Sequence, residues 1–237
     1  MLFGLMKDIL RVFFAPSDNL HMIEIISATR LSENDFWNKS ALGTSLRRLE
    51  KDSRLVAHIA FENQLGLPDV FNARINAPEG HPILVFIHDD VWINDDSFAD
   101  LVIHGLNTYD VIGVAGNRRR VDNQPAWPFI DNKFTWDANI NLSGSLTNYV
   151  YGVAPAECEL LDGLFLAAKK SRLTAAKVQF DPRFDFHFYD MDFCRSARKN
   201  GLRLGTWPIS LTHKSGGEFG SPRWQEKYRL YLEKWKS

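Results

Sequence analysis

Cysteine is scarce in this chain of 237 residues, which carries only Cys158 and Cys194. Two such residues make no disulfide framework, and neither falls in a metal-ligand spacing, so a stapled fold is excluded and a reducing, cytoplasmic setting is expected. An excess of either charge is missing too: 28 Lys and Arg stand against 29 Asp and Glu, a net charge of -1. That balance leaves no electrostatic footprint for nucleic acid, which is not expected as a partner. No apolar run approaches the roughly 20 residues of a membrane-spanning helix. Internal repeats and low-complexity tracts are absent as well. What is present is a chain 45% hydrophobic and 13% aromatic. Such a chain can bury a substantial core and is of a size for one α/β domain or two small ones.

Residues 1–19 set Leu2, Phe3, Leu5, Ile9, Leu10, Val12 and Phe13 among Lys7, Asp8 and Arg11. The pattern predicts an amphipathic helix or extension that docks on the domain, on a second subunit or peripherally on a membrane surface. A cleavable signal would show a cleaner apolar region and a small-residue cleavage site.

From Met22 onward, apolar strands alternate with helical stripes. Ile23 to Ile26 reads as a first strand that leaves its carboxyl end at Ser27 to Arg30, and one helix with Leu42, Leu46 and Leu49 on one side follows from Asp35 to Leu49. Leu55 to Phe61 is a second strand ending in Glu62-Asn63, and Pro68 to Ala77 is a helix with Val70, Phe71 and Ile75 buried. Ile83-Leu84-Val85-Phe86-Ile87 is then a third strand, apolar throughout and so enclosed on both faces. Asp96 is expected to cap a helix bearing Phe98, Leu101, Val102 and Leu106, before a strand from Val111 to Ala115. Strand–helix alternation implies parallel strands with right-handed crossovers. Residues 117–151 lose periodicity, as a loop or lid does. Beyond it come a strand from Leu160 to Ala168 broken at Asp162-Gly163, a helix from Met191 to Asn200, a strand from Leu202 to Ile209 and an aromatic helix within 218–237. A domain over 20–217 is expected, flanked by these terminal segments.

The chemistry-bearing residues sit at the ends of these elements. The third strand stops in His88-Asp89-Asp90. Adjacent charges are costly to bury, so they mark a strand end open to a crevice, where ligands bind in open α/β sheets. Hard oxygen ligands there suit a divalent cation holding phosphates. The plainer alternative is a solvated turn. A second acidic group, Tyr189-Asp190-Met191-Asp192, opens a helix. Acids there complement the helix dipole and cap it, or Asp190 is a general base among Phe186, Phe188 and Tyr189. His213 precedes Lys214-Ser215-Gly216-Gly217, a flexible turn that could aim an imidazole and backbone amides at an anion. Arg118, Arg119 and Arg120 clamp phosphate or solvate a loop. Asp162-Gly163 interrupts a strand as a bulge beside a ligand does.

In this order the pieces resemble the GT-A nucleotide-sugar-dependent glycosyltransferases, in particular glycosyltransferase family 2, over Met22 to Gly217. The resemblance implies a Rossmann-like three-layer α/β/α sandwich with a mostly parallel central sheet. It implies donor contacts at Ala28, Thr29 and Arg30, at Glu62 and Asn63, and at His88 and Asp89. Asp90 and His213 would hold Mn²⁺ or Mg²⁺, and Asp190 would be the base. Asp162, Gly163, Trp127 and Tyr189 would face the acceptor. The chain departs from the family's motifs at two positions: His88 replaces the first aspartate of Asp-x-Asp, and Tyr189 replaces the glutamate before the base. The implied reaction is an inverting, metal-dependent transfer of a sugar, with UDP the expected nucleotide, to a hydroxyl of a glycan, a lipid-linked sugar or another acceptor. Polysaccharide assembly is the implied setting. Two rivals differ in kind. A nucleotidyltransferase would carry a glycine-rich, lysine-containing loop after the first strand, and Ser27 to Ser32 has no glycine. A non-catalytic carbohydrate- or nucleotide-binding module would bind without turnover.

Overall fold

The computed structural model describes residues 20–128, 136–142, 148–150, 152–214 and 219–236. The expected helix over 1–19, much of the 117–151 loop and the Ser215-Gly216-Gly217 turn lie outside the described residues. Strand β1 (Ile23–Ala28) is followed by α1 (Glu33–Lys39), α2 (Ala41–Arg48), β2 (Leu55–Ala60), α3 (Leu67–Asn76), β3 (Ile83–Ile87) and the short β4 (Val91–Ile93). After α4 (Phe98–Thr108) come β5 (Val111–Gly113), β6 (Ala115–Asn117), β7 (Trp136–Leu142), β8 (Asn148–Val150), β9 (Ala156–Cys158), β10 (Leu160–Leu161) and β11 (Phe165–Lys169). The remaining elements are α5 (Lys170–Ala175), α6 (Tyr189–Lys199), β12 (Leu204–Thr206), β13 (Leu211–His213) and α7 (Pro222–Trp235). No helix among the described residues is long and apolar enough to cross a membrane.

The central sheet has the order β2-β1-β3-β11-β5-β12-β9. Strands β2, β1, β3, β5 and β12 share one direction, while β11 and β9 run against it. A smaller sheet, β10-β6-β7-β13-β4, stands beside it. Side chains of a strand alternate between faces, and β3 uses both for burial. Ile83, Val85 and Ile87 join one core with Phe36, Leu42, Leu46, Phe98 and Val102 from α1, α2 and α4. Leu84 and Phe86 join another with Val70, Phe71, Leu173 and Phe193 from α3, α5 and α6. Helices thus cover the sheet on both sides, giving the expected α/β/α sandwich.

Several local expectations are corrected. The single helix expected from Asp35 to Leu49 is two helices broken at Ser40. Its hydroxyl donates to the Phe36 carbonyl at 2.8 Å and accepts from the Gly43 amide at 2.8 Å, closing one helix and opening the next. One side chain in extended backbone satisfies orphan groups of both ends. Asp96 does not cap α4; the N-cap is Ser97, and the Asp96 carboxylate pairs with Arg48. The strand expected from Val111 to Ala115 divides at Val114 between the two sheets, and that expected from Leu202 to Ile209 shortens to three residues.

One charge is buried in the sheet. Glu24, 1% exposed, points from β1 toward α3, where its carboxylate meets Arg74 and accepts from the His81 amide at 3.2 Å. Burial alone would raise this carboxyl, but the Arg74 and His81 hydrogen bonds overcome it and hold it below the usual carboxylate value. Removing one partner of a buried pair strands the other. Arg74→Met is therefore expected to lower stability by about 3–5 kcal/mol, read as a fall in the midpoint of denaturant unfolding; a midpoint within error of wild type would show that Glu24 does not depend on Arg74.

Candidate active site

Because β3 is dry on both faces, its first polar side chains emerge at the carboxyl edge of the sheet. The His88 amide donates to the Leu164 carbonyl at 3.1 Å, which ties this end of β3 to the turn before β11. The chain then reverses into β4, which pairs antiparallel with β13 so that Val91 faces His213. The Lys214 amide donates to the Asp90 carbonyl at 3.0 Å, continuing that ladder. In consequence the His213 Nε2 and an Asp90 carboxylate oxygen lie 3.3 Å apart. With His88 they form a cluster of two imidazoles and one carboxylate whose ligand atoms all lie within 4.8 Å of one another.

Electrostatics distinguish the two imidazoles. Burial lowers the His88 pKa; the nearby Asp90 carboxylate opposes this only in part, and His213 adds a smaller push in the same direction as burial, so this ring is neutral near pH 7. Burial also disfavours charge on His213, but the hydrogen bond and attraction of Asp90 win, and its pKa is raised. A neutral imidazole, a carboxylate and a second imidazole held by that carboxylate form a mixed nitrogen and oxygen donor set suited to a divalent transition metal. The residues present therefore fit a cation.

The second acidic group reaches the same edge through α6. Its N-cap is neither aspartate but Phe188, in the left-handed region at φ 66 and without a side-chain capping bond. This correction removes the capping role from Asp190 and Asp192. A bulky residue in that conformation is strained, and it is gripped by Trp224, Tyr228 and Tyr231 at ring separations of 5.2, 5.5 and 5.3 Å. Asp192 is fully buried and points away to α7, where Lys234 Nζ and Trp235 Nε1 each bond it at 2.8 Å. Asp190 takes the Gly163 amide at 3.0 Å and the Met191 amide at 2.8 Å. Burial, and then repulsion from Asp162, push its carboxyl up to about 7.

The bulge between β10 and β11 supplies the other wall. Asp162 accepts the Trp127 indole N–H at 2.7 Å and the Leu164 amide at 2.9 Å. A Cβ at Gly163 would overlap the Tyr189 ring and approach the Asp190 Cβ to 2.9 Å, so glycine is required by close packing here. Tyr189 is buried against it, its hydroxyl 2.8 Å from the Gly163 carbonyl and 2.7 Å from His88 Nε2. The two positions at which the chain departs from the motifs it resembles are thus bonded to each other.

The expected donor-side residues occupy the neighbouring strand ends. The Asn63 amide donates to the Thr29 carbonyl at 2.9 Å, the Glu62 amide to the Leu31 carbonyl at 2.9 Å, and Arg30 reaches the Asn63 carbonyl and Gln64. Ala28 ends β1, and Glu62 is left-handed at φ 47, a tight turn that keeps both loops together. The Asp89 carbonyl accepts the Leu42 amide at 3.1 Å, fastening α2 to the β3 end. One of the aromatic residues expected around Asp190 also lies against the histidine cluster. Phe186, 44% exposed, lies nearly parallel to the His88 ring at 6.1 Å. The sequence offered Phe186 as a neighbour of Asp190; its place over His88 depends on the fold and is not marked by one Phe in an aromatic run.

No family model and no curated protein matches the chain. Among solved structures, GalNAc-T7 with UDP, GalNAc and Mn²⁺ superposes with a TM-score of 0.52 at 10% identity, over 90% of this chain and 48% of that one. At such identity the shared property is the fold, and this chain has the GT-A fold, spanning about half the length of that neighbour. The catalytic domain of Drosophila β1,4-galactosyltransferase 7 in complex with xylobiose is similar at a TM-score of 0.47 and 10% identity, over 88% of this chain and 79% of that one. TarS 1–349 from S. aureus is similar at 0.49 and 12% identity, over 89% and 64%.

A carboxyl whose pKa is higher in the folded than in the unfolded protein contributes most at low pH and loses that contribution as pH rises through the folded value. For Asp190 the window runs from its ordinary 3.8 to about 7. Asp190→Asn is therefore expected to be more stable than wild type at pH 8, by about 1–3 kcal/mol after the weaker amide acceptor is allowed for, and to lose that margin toward pH 4. Chemical denaturation at both pH values checks this; a margin independent of pH would remove the raised carboxyl.

Proposed function

We propose that this protein is a metal-dependent glycosyltransferase that moves a sugar from a nucleotide-diphosphate donor to an acceptor hydroxyl with inversion. The observation that carries the reading is the placement of Asp190 beside the Gly163 bulge, its carboxyl raised to about 7, at the edge where His88, Asp90 and His213 cluster. The GT-A fold supports it, as does a neighbour solved with UDP, GalNAc and Mn²⁺.

Asp90, His213 and His88 hold the cation in this reading, and their nitrogen content favours Mn²⁺ over Mg²⁺. When bound, the cation supplies Lewis-acid stabilisation of charge on the departing diphosphate. The Ala28-Thr29-Arg30 and Glu62-Asn63 turns, with Asp89, bind the nucleotide, and UDP is the preferred assignment. The acceptor lies against Asp162, Gly163, Trp127 and Tyr189. Its hydroxyl oxygen forms a bond to the anomeric carbon as the bond from that carbon to the phosphate oxygen breaks. Asp190 takes the hydroxyl proton. A carboxyl with a pKa near the working pH is both available as a base and strong enough to accept late in the transfer. Aromatic walls at Phe186 and Trp127 limit water at the reacting centre.

Incubation with UDP-sugars and Mn²⁺ is expected to release UDP slowly without acceptor and faster with a suitable sugar acceptor. Tight UDP binding with no release would favour the non-catalytic module instead. Asp190→Asn is expected to lose about 10²–10⁴-fold in turnover while still binding UDP, and unchanged turnover would remove Asp190 from the mechanism. Because the base acts deprotonated, wild-type kcat/KM is expected to rise with pH and level off at an apparent pKa no higher than about 7, since a bound cation lowers it.

A further inference from the structure

The Tyr189 hydroxyl has two partners and one proton. Its neighbours are the Gly163 carbonyl oxygen at 2.8 Å and the His88 Nε2 at 2.7 Å. A carbonyl only accepts, so the phenol proton must go to Gly163; otherwise two oxygens would face each other at 2.8 Å with nothing between them. The phenol oxygen is then left as an acceptor, and His88 must donate to it. That requires the hydrogen on Nε2, and it leaves Nδ1 with the lone pair of the neutral ring.

We propose that Tyr189 is a positioning residue for the cation site: by donating to the Gly163 carbonyl it holds His88 as the Nε2–H tautomer, and so presents Nδ1 as the metal-ligating atom. The inference deepens the proposed function and rests on it for the identity of the site. Three features of the fold make the arrangement rigid. Tyr189 is the first residue of α6, 3% exposed, with its ring packed on Phe71 and Phe180 at 6.1 and 5.9 Å. Gly163 has no side chain, which lets the phenol lie against its backbone. His88 is held at its own amide by the Leu164 carbonyl, and Phe186 covers its ring. The same bulge that gives an amide to Asp190 therefore gives a carbonyl to Tyr189. One peptide segment orients both the proposed base and, through the phenol, a proposed ligand. Bonds of this kind, from the far nitrogen of a ligating histidine, fix the ring and raise its basicity, and their loss commonly costs 10–100-fold in metal affinity.

The test reads cation binding and tautomer rather than turnover. Long-range ¹H–¹⁵N spectra of histidine-labelled wild type are expected to show His88 protonated on Nε2 alone, and Mn²⁺ is expected to shift its Nδ1 signal or broaden it away. Mn²⁺ affinity, measured by calorimetry and by the loss of the free-ion electron paramagnetic signal, is expected to fall about 10–100-fold in Tyr189→Phe. His88→Ala is expected to fall at least as far, and His88→Ala combined with Tyr189→Phe no further than His88→Ala alone, because the phenol acts through the imidazole. Wild-type affinity in Tyr189→Phe, additive losses in the double variant, or a His88 protonated on Nδ1 would each overturn the proposal. The wild-type spectrum decides the matter even if a variant unfolds. Binding with this pattern but no UDP release would sink the proposed reaction and leave this inference standing. Release with unaltered binding in Tyr189→Phe would do the reverse.

Discussion

A strand enclosed on both faces can place charge only at its ends, and β3 is such a strand. All five of its residues are buried between two helical layers. His88, Asp89 and Asp90 are therefore forced to the carboxyl edge of the sheet, the edge at which open α/β sheets bind their ligands. Everything polar in the candidate site is assembled around that forced exit. The β4–β13 ladder brings His213 to Asp90, the bulge before β11 brings Gly163 to Asp190, and the first residue of α6 brings Tyr189 to His88.

The site holds strain and unfavourable charge, and the surroundings offset both. Phe188 sits in the left-handed region at the start of α6, and the aromatic side chains of α7 enclose it. Asp190 is buried near Asp162, which raises its carboxyl, while two backbone amides keep its position. Asp192, one turn-face away, is a buried charge of another kind. Lys234 and Trp235 satisfy it, so it fastens α7 to α6 and takes no part in the cleft. Two aspartates separated by one residue on the same helix thus have opposite duties, because successive residues of a helix point in different directions.

Much of the architecture was legible because it follows from periodicity. The uniformly apolar run Ile83 to Ile87 announced a strand buried on both faces, and strand–helix alternation announced a parallel sheet covered on both sides. Boundaries were less legible. Ser40 divides a segment that reads as one helix, because Leu42, Leu46 and Leu49 recur at helical spacing and no glycine or proline before them signals a break. Asp96 looked like a cap beside Ser97, but the Arg48 side chain, distant in sequence, claims its carboxylate. Neither choice can be made without knowing what lies opposite.

By itself the sequence determined the fold class and the positions where polar residues must leave the sheet, because burial of apolar runs is a local property of pattern. It also supplied the residue types: a carboxylate and an imidazole expected at a cation, a second imidazole expected at the donor, and an aspartate that could be a base. Only the tertiary structure decided which of these meet. The hydrogen bond between His88 and Tyr189 joins residues 101 apart in the chain and depends on the end of β3, the bulge at Gly163 and the start of α6 all being correct together. Hydrogen bonds are short and directional, so contact among side chains far apart in sequence is fixed by packing to within tenths of an ångström. No one-dimensional spacing carries that information.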